Sequence, residues 1–224
     1  MSILAVKKSA AAVAESGGGY LSKSGIYDVT IKFASVDTSK NGALSVNFNL
    51  DYNGNDQTIY GPYIQDNAGN PLEIGIGLVN KLSVIAGLED GQEPTVEEET
   101  HAVGKDKTEK EFQVITDYTD LPIKIRLQEE YSINPNTNEI QKRMVVKSFF
   151  RADGASAEEI VNDTEIGKRL ALEEERYSSN ITFKDNLTQE DVDAFMEQKK
   201  AGAKPATATK AKPAAKANPF AKAK

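Results

Sequence analysis

Lys124 and Arg126 in one stretch, and Arg143, Lys147, Phe149 and Arg151 in another, recur at even spacings along the chain. At the two-residue period of a β-strand, each set lands on one face. Ammonium and guanidinium groups hold phosphates, and a flat ring offers a base a stacking surface. The combination suits a single strand of nucleic acid. Charged outer faces are also ordinary on half-exposed sheets, so a solvated face is the competing reading. Lys32 and Lys40 add cations, and Tyr60 and Tyr63 add rings. The two tyrosines flank Gly61-Pro62 and are three apart, on opposite faces of a regular strand. A bulge at the proline would re-aim one of them. The competing reading for each is a half-buried aromatic with a wet hydroxyl.

Other chemistry finds little support. The chain has no cysteine and one histidine, which excludes disulfides and thiolate metal sites and argues against a multi-histidine centre or a serine–histidine triad. Glu97, Glu98, Glu99 and His101 form a tempting cluster, but no apolar scaffold surrounds them to shift their ionisation, and a solvated loop is the simpler account. Gly17-Gly18-Gly19 is not followed by Gly-Lys-Ser/Thr, so it is no phosphate loop. The expectation is a non-enzymatic protein with no metal and no other cofactor.

The elements that must position the cations follow from the apolar pattern. Leu121, Ile123, Ile125 and Leu127 alternate with Lys124 and Arg126, and Met144, Val146 and Phe150 alternate with Arg143, Lys147, Phe149 and Arg151. This predicts one long hairpin, Leu121–Arg151, with a greasy face and a basic face. Its turn is Asn134–Asn138, a four-residue loop pairing Asn134 with Glu139. A one-residue slip would mix the two faces, so the register should be firm.

Upstream, Ile26–Val36 and Ala43–Tyr52 alternate as strands, Tyr27, Val29, Ile31 and Phe33 sharing one face of the first, with an Asn41-Gly42 hairpin turn between them. A turn at Asn53-Gly54 leads to a third strand, Gln57–Ile64, completing a meander. Leu72–Leu88 carries apolar residues at helical spacing. Gly75 and Gly77 weaken its first turns or permit close packing on the sheet, and Gly87 lies where a helix C-terminus is expected. Residues 89–111 read as a long acidic loop, with Phe112–Tyr118 a further short strand. Beyond the hairpin, Ala157–Tyr177 reads as helical. Thr188 with Asp191 resembles a capping box opening a last helix, and Ile181–Phe183 is apolar enough to dock.

The formal charge of −7 hides a split. The last 26 residues hold eight lysines and no acid, so residues 1–198 carry 19 of the 27 basic and all 34 acidic residues, a net of −15. The tail 201–224, with Lys204, Lys210, Lys212, Lys216, Lys222 and Lys224, is low-complexity Ala/Lys/Pro. It reads as a disordered polycation able to neutralise phosphates, or as a solubilising linker. No run approaches the length of apolar sequence that spans a membrane, and the N-terminus does not read as a secretory signal. A cytoplasmic protein without membrane partners is expected.

Three antiparallel strands, a helix and a two-stranded hairpin follow the order of an OB barrel. The expected fold is mainly β (α+β): a five-stranded OB-like barrel with a helix between strands three and four, C-terminal helices and a disordered basic tail. The boundaries are a flexible arm at 1–24, the OB domain at 25–152, a helical extension at 153–200 and the tail at 201–224. Ser24-Gly25-Ile26-Tyr27, Ser39-Lys40-Asn41-Gly42, and Gly69-Asn70-Pro71 ahead of Leu78-Val79-Asn80-Lys81-Leu82 resemble tailed-phage single-stranded-DNA-binding proteins of the OB-fold type. The resemblance covers about residues 17–90, with a weaker echo in 120–152. It implies sequence-tolerant binding of single-stranded DNA, protection of intermediates in phage replication and recombination, replication or recombination proteins as partners, and the bacterial host cytoplasm as location. Single-strand binders of this kind often end in an acidic tail, whereas this chain ends in lysines. An adaptor or structural protein, or a duplex-DNA binder acting through the tail, remains the alternative.

Overall fold

The computed structural model describes residues 19–104 and 106–200, the side chains of the last two excepted. The arm before residue 19 and the six tail lysines at Lys204, Lys210, Lys212, Lys216, Lys222 and Lys224 lie outside the described residues. The chain forms two compact units. One holds the described residues up to Gln128 together with Met144–Asn180. The other holds Glu129–Arg143 and the described residues from Ile181 onward.

The fold is mainly β, an open and largely antiparallel sheet with a few helices. In the first unit β1 (Gly25–Thr38), β2 (Leu44–Tyr52) and β3 (Asn55–Ile59) form the predicted meander. The third expected strand is divided. The chain breaks at Gly61, whose φ of +85° a side chain would resist, and resumes as β4 (Tyr63–Gln65), which also pairs with β2. Helix α1 (Glu73–Ile85) follows. β1 is shared: its first half pairs with β7 (Leu121–Ile133), its second with β2. β8 (Ile140–Arg151) pairs with β7. The described strand pairs do not join β3 to β8.

Residues expected as a loop at 89–111 instead form most of a second hairpin, β5 (Val96–Val103) and β6 (Thr108–Ile115), paired along eight residues. β6 pairs with β1 at Ala34 and Ser35. Backbone pairing outweighed the acidic composition because the strands alternate outward charges with inward His101 and Phe112, which pack on Phe33. The expected helix over 157–177 divides into α2 (Ala157–Val161) and α3 (Lys168–Tyr177). Ser156 and Glu159 form a capping box at the start of α2.

The core lies inside the meander and the proximal part of the long strands: Ile31, Phe48, Leu50, Ile123, Ile125 and Leu127 are almost fully buried, with Leu82 and Ile85 of α1 beside them. Leu21, expected in a flexible arm, is buried in the same cluster, its backbone held by the Gln57 side chain. Strict alternation fails twice. Ile31 and Ala34 both enter the core, because the β1–β2 register shifts between Ile31 and Phe33, and the expected partner Phe33 turns to the outer face. Val146 and Phe149 likewise share the core although three apart.

In the second unit β9 (Ile181–Phe183) runs parallel to the distal part of β7, opposite Glu129–Tyr131. Tyr131 stacks on Phe183 at 5.9 Å. The hairpin loop pairs as the sequence predicts, with the Asn134 N–H donating to the Glu139 carbonyl at 2.8 Å. Thr188 and Asp191 exchange the bonds of the expected capping box at the head of α4 (Gln189–Lys200).

Candidate nucleic-acid interface

The cations of β7 and β8 are largely engaged within the protein. Lys124 Nζ lies 2.5 Å from Asp28. Arg126 Nε lies 2.7 Å from Glu173, an ionic contact rather than a directed hydrogen bond, and its guanidinium sits 5.6 Å from the centre of the Tyr177 ring. Glu173, only 2% exposed, also takes Arg169 at 3.0 Å and accepts from the Ser148 hydroxyl at 2.7 Å. Helix α3 therefore lies over the face expected to be open, and one buried carboxylate accepts hydrogen bonds from two donors there and faces the Arg126 charge. A buried charge is tolerated on this condition. Arg151 closes on Asp153 through two nitrogens, and this bond holds the Asp153 carboxyl below its ordinary range. Lys147 is half-buried and Arg143, in the second unit, is exposed; neither has an ion-pair partner among the described residues.

Phe149 requires a correction. It is 3% exposed and meets Phe48 edge-on at 5.3 Å inside the core, so its ring is unavailable to a base. Phe150, on the other side of the strand, is buried too, because the chain returns at Ala155 and Ser156 to cover it.

The β3–β4 corner is the opposite case. Tyr60 and Tyr63 are 76% and 49% exposed. The corner between them is held from below by the outer face of β2. Asn47 accepts from the Gly61 N–H at 2.9 Å and donates to Asp37, while the Val46 N–H donates to the Pro62 carbonyl. Asn49 accepts from Thr58 at 2.7 Å. Both asparagines are buried, so each bond replaces one with water, and an unmatched amide there would be costly. From the other side α1 approaches so closely that a Cβ on Gly75 would lie 1.8 Å from the Tyr63 carbonyl oxygen. Of the two helix glycines singled out in the sequence, Gly75 serves close packing, and Gly77 meets nothing. Leu72, whose N–H donates to the carbonyl of Ile64 next to Tyr63, and Ile74, next to Gly75, have exposed side chains. Lys40 is exposed in the β1–β2 turn, toward the same end of β2, where Ser45 pairs with Tyr63.

Lys32, on β1, meets Asp56 of β3 at 2.9 Å, and Lys107, in the turn between β5 and β6, meets the other oxygen of the same carboxylate at 2.5 Å. Hydrogen bonds from Lys107 and then Lys32 keep this carboxyl below its usual range. Nearby, the His101 ring lies 3.9 Å from that of Phe33 and almost parallel to it, while its Nε2 is 2.7 Å from Glu99.

The structure thus brings Tyr60 and Tyr63 together, with Lys40 toward the same end of β2. It separates them chemically from Lys124, Arg126 and Arg151, which have internal partners. The reading of residues by alternation missed Asn47, Asn49 and Asp56. The only available signal for the asparagines was their place on the polar face of β2. No group of acidic and histidine side chains among the described residues is arranged to hold a metal ion. No helix among them is long and apolar enough to cross a membrane. No model of a known protein family matches the chain, and no curated protein matches it.

Proposed function

We propose that this chain is a sequence-tolerant single-stranded-DNA-binding protein, with the Tyr60–Tyr63 corner as its stacking surface. Two rings held in water on a braced corner are the observation that carries the reading. Isolated exposed aromatics are ordinary, but here buried asparagines and a glycine contact hold the backbone that presents them. Base stacking on such rings tolerates any sequence, because every base has a π-face. The sharing of β1 between β2 and β7, with α1 placed between the meander and the hairpin, supports an OB-like reading of the fold. In that fold oligonucleotides lie across the second and third strands and adjoining loops. Lys40 and Lys147, with Arg143 and the tail lysines, supply phosphate contacts in this reading. Lys32, Lys124, Arg126 and Arg151 contribute only by exchanging a carboxylate for a phosphate. The setting is phage replication and recombination in a bacterial host cytoplasm, in keeping with the resemblance of the N-terminal half.

A second reading has its own support: Leu72 and Ile74 beside the tyrosines make the patch partly apolar, as a protein-docking adaptor would need. Competition among oligo-dT, oligo-rU and duplex DNA for the full chain separates the readings. Oligo-dT is expected to win. Preference for duplex, or no binding at physiological salt, overturns the proposal and favours the tail-driven or adaptor reading respectively.

A further inference from the structure

The β5–β6 hairpin joins the sheet beside β1 and packs over its outer face. β6 is tied to β1 at Ala34 and Ser35, His101 and Phe112 rest on Phe33, and Lys107 at the turn reaches Asp56 on β3, beyond β2. The hairpin thus covers a strip that runs from Phe33 toward Asp56. The strip has the composition of a polynucleotide site: a ring, an ammonium on Lys32, and between them the amides of Asn49 and its neighbours.

The groups now occupying it resemble the parts of a nucleotide. A flat, nitrogen-containing ring lies parallel to Phe33 at stacking distance. A carboxylate sits between two ammonium groups, each within 3 Å, as a bridging phosphate would. The hairpin itself is acidic, with Glu97, Glu98, Glu99, Glu109 and Glu111 along its strands.

We propose that the β5–β6 hairpin, anchored at its turn by Asp56 of β3, is an intramolecular competitor for single-stranded nucleic acid, His101 standing in the place of a base on Phe33 and Asp56 in the place of a phosphate between Lys32 and Lys107. This rests on the single-strand reading above and adds its regulation. A strand engaging the Tyr60–Tyr63 corner extends across β2 only as the hairpin lifts, freeing Phe33 for a base and Lys107 for phosphate, while Lys32 reaches a phosphate by exchanging the Asp56 carboxylate for it. Hairpin strength then sets affinity without any change at the tyrosine corner. The contacts to be broken are the exposed Lys107–Asp56 ion pair and the packing of His101 and Phe112 on Phe33, so displacement needs several phosphate contacts together with a base stacked on the Phe33 ring that is uncovered.

The test uses the full chain and a fluorescein-labelled oligo-dT. Asp56→Asn keeps the side-chain size and removes the charge that holds both lysines. It is expected to tighten binding by about three- to tenfold, the scale of two exposed ion pairs. Glu93→Gln makes the same charge change on an exposed loop and is expected to leave affinity within about twofold, since a single distant charge is screened. Hydrogen exchange of the unaltered protein is the second measurement: amides of Val96–Val103 and Thr108–Ile115 should exchange faster when oligo-dT is bound. Equal tightening by the two variants, no tightening by Asp56→Asn, or unchanged or slower exchange in the hairpin each overturns the proposal. If one of these outcomes is seen while the parent binds oligo-dT and Tyr60→Ala and Tyr63→Ala weaken that binding, only this inference falls. If neither parent nor Asp56→Asn binds oligo-dT, the single-strand reading falls with it.

Discussion

On the outer face of β7 and β8, Lys124, Arg126 and Arg151 each meet a carboxylate, and α3 lies over the middle of the row. At the β3–β4 corner, Tyr60 and Tyr63 stand in water with their backbone braced from two sides. Both regions looked equally suited to nucleic acid by residue type. They differ in whether the functional groups already have partners inside the protein. A cation facing a buried acid holds the fold together; an exposed ring on a supported backbone has its binding surface still available. Residue type therefore indicates possible chemistry, and the partner decides whether that chemistry is free to be used.

The largest effect expected from this contrast is at Phe149. Replacing it by alanine removes a core ring packed on Phe48 and should lower stability by about 3–5 kcal/mol in urea unfolding. Affinity for oligo-dT per folded molecule should hardly change. A large loss of affinity with little loss of stability would return Phe149 to the stacking surface and remove the contrast.

Next is Glu173. Glu173→Ala leaves Arg126 without its counter-charge under α3 and is expected to cost about 3 kcal/mol, in the range for breaking a buried pair on one side. Arg169 is half-exposed and can turn to water, which keeps the figure at the low end. A urea midpoint that barely moves would show that α3 does not depend on this pair and that the basic face can open.

The smallest effect on the fold, and the sharpest on function, is at the corner. Tyr60→Ala and Tyr63→Ala should each weaken oligo-dT binding by about 1–3 kcal/mol, the worth of one stacked base, with stability almost unchanged. Fluorescence titration beside thermal unfolding reads both. Unchanged affinity in the two variants would equalise the two regions and point to the apolar neighbours Leu72 and Ile74 as a protein contact instead.

Much of the architecture was legible from local pattern. The strands of the meander, helix α1 with its terminal glycine, the long hairpin with Asn134 paired to Glu139, and the Thr188–Asp191 cap follow from period and turn chemistry, which act over a few residues. What eluded that pattern depends on contacts far apart in the chain. The phase changes at Ile31–Phe33 and Val146–Phe149 set which side chains reach the core, and alternation carries no mark of them. The acidic stretch Val96–Ile115 became a hairpin because Phe33, more than sixty residues earlier, offers His101 and Phe112 a surface.

Composition and periodicity thus settled most of the meander, the long hairpin and the first helix, and which side chains can carry charge or stack. Those are properties of neighbours along the backbone. Which charges are spent and which rings stay exposed was settled by folding, because Glu173 comes to Arg126 and Asp56 to Lys32 only when distant segments meet. An ion pair or a buried ring depends on distance in space, and distance in space is what a linear pattern does not contain.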